Sequence, residues 1–194
     1  MLRCAITDGC GEQGRLLVSA RRWAAEGVEL VQLREKQMPV GELVAVARAM
    51  REIFREAGSG TRLVVNGRAD VAIAVGAEGV HLTAGVDELT AEQVRRLFAG
   101  AGLARPFVSA SCHSVEEARR ALEGGADLLV FGPVFEKRVG GEVVMEGVGL
   151  ERLREVCEMA AGVPVLALGG VTAENAEACV AAGAAGVAGI RLFG

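Results

Sequence analysis

One pattern recurs four times along the chain and limits its fold more than any other feature. A helix-like stretch ends in glycine, and a short β-rich run follows almost at once. The instances are Gly27-Val28-Glu29-Leu30, Gly76-Ala77-Glu78-Gly79-Val80, Gly125-Ala126-Asp127-Leu128 and Gly183-Ala184-Ala185-Gly186-Val187. Glycine in this place accepts the left-handed conformation on which helices stop. The four glycines stand 49, 49 and 58 residues apart, and the longer last step falls near the Gly-rich segment 136–147. A period of about two strand–helix units points to a closed, repeated architecture.

The segments between these glycines support that reading. Apolar runs at 3–7, 30–33, 62–65, 79–82, 107–111, 128–134, 164–167 and 186–190 are bounded by Gly, Pro or Asp. Near-continuous apolar runs of this length fit strands buried on both faces of a parallel sheet. Amphipathic stretches alternate with them, at 15–26, 40–57, 69–75, 90–98, 115–123, 149–160 and 173–182. Ser114 followed by Glu117 predicts a capping box, and Thr90 and Thr172 stand where N-caps belong. Eight parallel strands with seven intervening helices give a single α/β domain over 1–194, a (β/α)8 TIM barrel whose last helix is truncated or missing. A doubly wound open sheet would want a Gly-rich fingerprint after the first strand, and Asp8-Gly9-Cys10-Gly11 is not one.

Composition narrows the function. The chain is 51% apolar with a net charge of −4, which excludes a disordered protein and disfavours nucleic acid as a partner. No run reaches the roughly 18 apolar residues of a membrane span. No secretory signal is visible at the start, and the five scattered cysteines fit reduced thiols, so a cytoplasmic enzyme is expected. The Cys and His residues show no ligand spacing, so no metal site is expected.

In such barrels chemistry sits where the strands end. Polar residues there include Asp8, Gln32, Arg34, Lys36, Asn66, Arg68, Thr83, Ser111, His113, Glu136, Lys137 and Arg191. Lys36 and Lys137 are the only lysines of the chain. Arg34 and Lys36 stand two apart, a spacing that aims both to one side of a strand end. Alternation along 107–113 puts Ser111 and His113 on the face opposite Val108, Ala110 and Cys112, toward the barrel mouth. An imidazole there can take and return a proton near neutral pH, and His113 is the candidate catalytic residue. His81 and Cys112 read as structural. Gly169 and Gly170 open a helix after the seventh strand. With Gly189, Ile190 and Arg191 after the eighth, they form a candidate phosphate site. Segment 136–147 reads as a lid or a disordered surface loop. Leu192 and Phe193, near the missing helix, suggest self-association as a homo-oligomer.

Several of these pieces occur together, and in order, in one family. They are Ala5-Ile6-Thr7-Asp8, Val31-Gln32-Leu33-Arg34-Glu35-Lys36, Val65-Asn66 with Arg68, Gly79-Val80-His81-Leu82, Ser111-Cys112-His113-Ser114, Phe131-Gly132-Pro133-Val134-Phe135 and Ala167-Leu168-Gly169-Gly170-Val171. On them the chain resembles the thiamin phosphate synthase and TenI superfamily over nearly its whole length. The resemblance implies a (β/α)8 barrel that handles thiamin precursors. It also implies that Gln32, Arg34, Lys36, Asn66, Ser111 and Gly132 contact a small phosphorylated thiazole substrate.

The superfamily has two branches. The synthase joins a pyrimidine diphosphate to a thiazole phosphate with magnesium. It uses an Asn-Asp pair after the third strand, an Asp after the fourth and a lysine in the loop after the sixth. Here Asn66 precedes Gly67, Asp87 is out of register and Lys137 comes early. The TenI branch departs at the same places, and its catalytic histidine matches His113. The expected activity is therefore that of a thiazole tautomerase, an isomerase that aromatises a carboxylated thiazole phosphate without a cofactor. Arg34 or Lys36 would face the carboxylate. The alternatives are a synthase in which Asp87, Asp8 or Glu35 replaces the usual magnesium ligands, and a non-catalytic module that binds a thiamin intermediate.

Overall fold

The computed structural model describes residues 1–85, 88–139 and 142–193, except for the side chains within 137–145. Eight parallel strands close into a barrel in the order β1-β10-β9-β6-β5-β4-β3-β2. They are β1 (Leu2–Ile6), β2 (Leu30–Leu33), β3 (Arg62–Asn66), β4 (Gly79–Leu82), β5 (Phe107–Cys112), β6 (Leu128–Phe131), β9 (Val165–Ala167) and β10 (Gly186–Gly189). The helices are α1 (Gln13–Ala25), α2 (Val40–Glu56), α3 (Ala69–Val75), α4 (Ala91–Gly100), α5 (Val115–Glu123), α6 (Gly149–Met159) and α7 (Ala176–Ala181). No eighth helix follows β10 among the described residues. Segment 136–147 is not wholly bare loop. It holds an antiparallel hairpin of β7 (Lys137–Val139) and β8 (Glu142–Met145). The residues between these strands, and Asp87, lie outside the described part.

Alternation along each strand sorts the side chains into two cores. Ala5, Val31, Val65, Val80, Val108, Cys112, Phe131 and Val187 face outward and pack with the helices. Cys4, Ile6, Leu30, Val64, Leu128, Val130, Leu166 and Ala188 form a separate cluster that fills the lumen. A filled lumen leaves only the upper, carboxyl ends of the strands for a ligand.

The repeat of 49 residues has a structural meaning at the opposite end. Gly27, Gly76, Gly125 and Gly183 all adopt positive φ, between 65° and 103°. Two residues beyond the first three stands a carboxylate: Glu29, Glu78 and Asp127. Each accepts a backbone N–H from the preceding strand, from Arg3 (3.0 Å), Leu63 (2.9 Å) and Val108 (2.8 Å). Each also pairs with an arginine, Arg3, Arg51 or Arg95. That arginine donates as well to a carbonyl where a helix ends, at Gly27, Val75 or Gly125 (2.6, 2.5 and 2.6 Å). The fourth position is Ala185, which offers its neighbour only a backbone carbonyl, to the Leu2 N–H.

Caps follow the sequence reading in part. Thr90 and Gln93 form a full capping box on α4. Ser114 accepts the Glu117 N–H, but the Glu117 carboxylate reaches one residue further back, to the His113 N–H at 2.7 Å. Thr172 caps nothing: α7 opens only at Ala176, and the Asn175 side chain closes the loop by accepting the Thr172 N–H and donating to the Gly170 carbonyl. The expected self-association patch is also packed. Leu192 and Phe193 are half-buried against the outer core, and the Phe193 carbonyl accepts from Arg22 and Trp23.

Candidate functional site

The upper lumen has two unlike walls. On β2, β3, β4 and β5 the inward positions carry Gln32, Asn66, His81, Ser109 and Ser111, and Arg34, just past β2, lies near enough for its charge to act on His81. On β6, β9, β10 and β1 they carry Val130, Leu166, Ala188 and Ile6, with Leu168 just above. One side of a bound molecule would meet hydrogen-bonding groups and the other would meet hydrocarbon, as in most small-molecule sites.

Gln32 is 2% exposed, and Arg34 and Asn66 are half-buried. None of their side chains makes a hydrogen bond or ion pair among the described residues. Their polar atoms reach solvent at the mouth, and three convergent groups without a protein partner are free to meet a ligand there. Lys36 is exposed beside them. The main chain is what holds the Arg34–Lys36 segment. The Arg34 N–H donates to Thr7 Oγ1 at 2.8 Å, and the Glu35 carboxylate, 5% exposed, accepts the N–H groups of Gly9 (3.1 Å) and Gly11 (2.8 Å). Glu35 thus anchors the loop after β1 and is not a spare ligand.

His81 lies inside the barrel, with Nδ1 2.9 Å from Ser109 Oγ and Nε2 2.8 Å from Ser111 Oγ. Burial, with the nearby Arg34 charge, pushes its pKa down to about 3. It is a neutral, fully hydrogen-bonded ring linked through Ser111 to the mouth. Sequence reasoning assigned it a structural role and missed that link. The signal was available in the alternation of β4 and β5, which sets His81 opposite Ser109 in register. Burial likewise pushes the Cys112 thiol up to about 12, which fits its packing role.

His113 stands elsewhere. It is exposed, its Nδ1 lies 2.5 Å from the Gly132 carbonyl, and it borders a groove of about 230 Å³ with Val115, Glu116, Val148, Arg152 and Glu155, between α5 and α6. A carbonyl only accepts, so Nδ1 carries the proton. Gly132 itself is buried, and its backbone is committed at both ends, the N–H to Cys112 and the carbonyl to His113. A Cβ there would lie 2.0 Å from the Leu168 carbonyl oxygen, so it is a close-packing glycine.

The proposed phosphate loops do meet at the mouth on the apolar side. Gly169 and Gly170 have φ of 90° and 64°, and a Cβ on either would collide with Pro133 or Phe135. Gly189, Ile190 and Arg191 follow on the adjacent strand, Ile190 and Arg191 being exposed. The helix behind Gly170 begins six residues later, so any anion here would meet loop N–H groups and not a helix end.

The described carboxylates near the mouth are already engaged, and Asp87, a candidate ligand by sequence, lies outside the described residues. No cluster of three His, Cys, Asp or Glu side chains able to hold a metal occurs among the described residues. Gly67 offers no side chain. Asp8 is held by Arg15 and the Cys10 N–H, Glu88 by Thr83, Glu117 by the His113 N–H, and Asp70 by Arg68.

Comparison with known proteins agrees with the fold and corrects the activity. The family profile described as thiamine monophosphate synthase matches residues 4–193. The thiamine-phosphate synthase of Methanoculleus marisnigri is 40% identical over 184 residues, which is 94% of this chain and 82% of the relative. A putative thiamine-phosphate synthase of Geobacter sulfurreducens is 40% identical over 187 residues, again 94% and 82%. The solved thiamine phosphate pyrophosphorylase of Pyrococcus furiosus superposes with a TM-score of 0.79 at 31% identity, covering 97% of this chain and 85% of its own. These findings overturn the expectation of a thiazole tautomerase and of an isomerase. That expectation rested on three short loop departures and on His113, whereas the whole chain is similar to transferases. No helix is long and apolar enough to cross a membrane among the described residues.

Proposed function

Because the chain belongs to the thiamine monophosphate synthase family, we propose that it is a transferase joining a pyrimidine diphosphate to a thiazole phosphate. The observation that carries this reading is the unpaired trio Gln32, Arg34 and Asn66 facing an apolar wall across the mouth. The polar wall suits a nitrogen heterocycle bearing a diphosphate. The opposite loops, at Gly169, Gly170 and Gly189 to Arg191, suit the phosphate of the second substrate.

The chemistry asks little of acids and bases. The thiazole nitrogen gives its electron pair to the exocyclic carbon of the pyrimidine. The bond from that carbon to the diphosphate oxygen breaks, and its electrons leave with pyrophosphate. No proton needs to move, so the reaction has no use for a general base at His113. What it needs is stabilisation of charge gathering on the departing oxygens, and the cations Arg34 and Lys36 would supply it. The product thiazole ring is cationic, and the uncharged apolar wall leaves it free to depart.

The test is direct. Purified protein receives both substrates, with and without magnesium, and thiamin phosphate and pyrophosphate are measured. Coupling is expected, and Arg34→Gln should lower it about 100-fold, the usual loss on removing one such stabilising group. Magnesium alone should scarcely raise the melting temperature, since the described mouth offers it no free carboxylate pair. Binding of both substrates without any coupling would overturn the reading.

A further inference from the structure

The buried His81 takes no part in the transfer, yet its hydrogen bonds decide what the mouth can offer a ligand. Its ring is neutral, so it has one N–H and one lone pair. It is bracketed by two hydroxyls, Ser109 at Nδ1 and Ser111 at Nε2. The two serines are not equivalent. Ser109 is 0% exposed, and its hydroxyl makes no other hydrogen bond among the described residues. Its proton therefore has one place to go, the Nδ1 lone pair. A buried donor left without an acceptor costs roughly 1–3 kcal/mol. With Nδ1 accepting, the ring proton sits on Nε2 and is donated to Ser111 Oγ. Ser111 has then accepted from below and keeps its own O–H free. It is half-buried at the mouth, between the lumen and solvent. In the opposite tautomer Ser111 would donate downward and show the ligand lone pairs only, while Ser109 would be orphaned.

We propose that the buried Ser109–His81 pair fixes Ser111 as a hydrogen-bond donor toward the ligand, so that the site selects a heterocycle presenting an acceptor there, such as an unprotonated ring nitrogen. Assigning that heterocycle to the pyrimidine rests on the transferase reading above; the direction of the hydrogen bonds does not. His81 and Ser109 are positioning residues. They touch no substrate and act through Ser111.

The chain has two histidines, which makes the test clean. Nitrogen-15 spectra of the histidine-labelled wild-type protein report which ring nitrogen carries the proton, with no substrate and no variant. His81 should be protonated at Nε2 and His113, when neutral, at Nδ1. Protonation of His81 at Nδ1 overturns the proposal whatever the activity proves to be. The second arm compares the pyrimidine diphosphate with an analogue whose ring nitrogens are replaced in turn by C–H. One of these replacements should weaken binding to the wild type about fivefold to tenfold, the size of one hydrogen bond. Ser109→Ala should shrink that discrimination toward onefold while binding the thiazole phosphate normally. Equal discrimination in Ser109→Ala and wild type refutes the coupling. If the pyrimidine compounds bind and discriminate but no coupling occurs, the transferase reading fails and this one stands.

Discussion

Replacing Glu35 tests whether the loop after β1 is held as described. Its carboxylate accepts the Gly9 and Gly11 N–H groups at 3.1 and 2.8 Å from a nearly closed position. Two N–H groups converging on one anion make a small nest. Glu35→Gln keeps the shape but removes the charge and turns an NH2 toward one of the two N–H groups. One charge-assisted hydrogen bond disappears, worth about 1.5–3 kcal/mol, and the other becomes a neutral one of half the strength. The loop is open to water, so hydration returns part of the loss. The net expectation is about 2 kcal/mol. For a chain near 200 residues this lowers Tm by about 4–8 °C. Thermal unfolding gives the total, and amide exchange at Gly9 and Gly11 locates it. Because Arg34 and Lys36 flank Glu35, KM for the diphosphate substrate should rise as well. A variant that melts within about 1 °C of wild type, with Gly9 and Gly11 still protected, would show that the carboxylate does not hold this loop.

Other outcomes follow from features already described. Asp127→Ala strips the Val108 N–H and Arg105 of their acceptor and leaves Arg95 only the Gly125 carbonyl, with Arg95 Nε already buried without a partner. It should cost about 2–4 kcal/mol in urea unfolding, against less than about 1 for Asp70→Ala in an exposed pair. Burial raises the Asp127 pKa, but the Val108 amide, Arg105 and Arg95 together outweigh it and lower the net value. Its stabilisation is thus complete above the unfolded-state value near ~3.9 and is lost as pH falls through the lower folded value, so Asp127→Ala should flatten the acid limb of stability against pH. Gly79→Ala would set a Cβ 1.8 Å from the Phe107 carbonyl oxygen and should leave little soluble protein. Gly14→Ala in α1 meets nothing and should gain up to about 1 kcal/mol.

The barrel was legible because its signals are local. Strands 30–33 and 79–82 and helices 69–75 and 115–123 match to the residue, the first helix being closed by Gly76 and the second opened by the Ser114 cap. The hairpin in 136–147 was not, because a sequence rich in glycine and charged residues also fits a bare loop. At the site, alternation correctly sent Ser111 inward, but His113 lies one residue past the end of β5, where that rule lapses. The role of Glu35 depends on a loop 24–26 residues away, which no local pattern reveals. The activity was misread because three substituted positions were weighed above the remainder of the chain.

The three carboxylate–arginine clasps and the missing fourth bear on how the barrel assembles. Each clasp joins partners about 15–32 residues apart, all within a run of neighbouring strands and helices. Short loops close at low entropic cost, so these units can form early and separately. The remaining unit, with Ala185 in the fourth position, has no such local lock. Its strand β10 must find β1 across nearly the full chain, from Leu2 to Gly186. That pairing is the step with the highest contact order in the molecule, and it lacks the carboxylate–arginine clasp of the other three positions. The β1–β10 seam should therefore zip last in refolding and unzip first in unfolding. Substitutions at the clasps should slow folding, while substitutions along the seam should mainly speed unfolding.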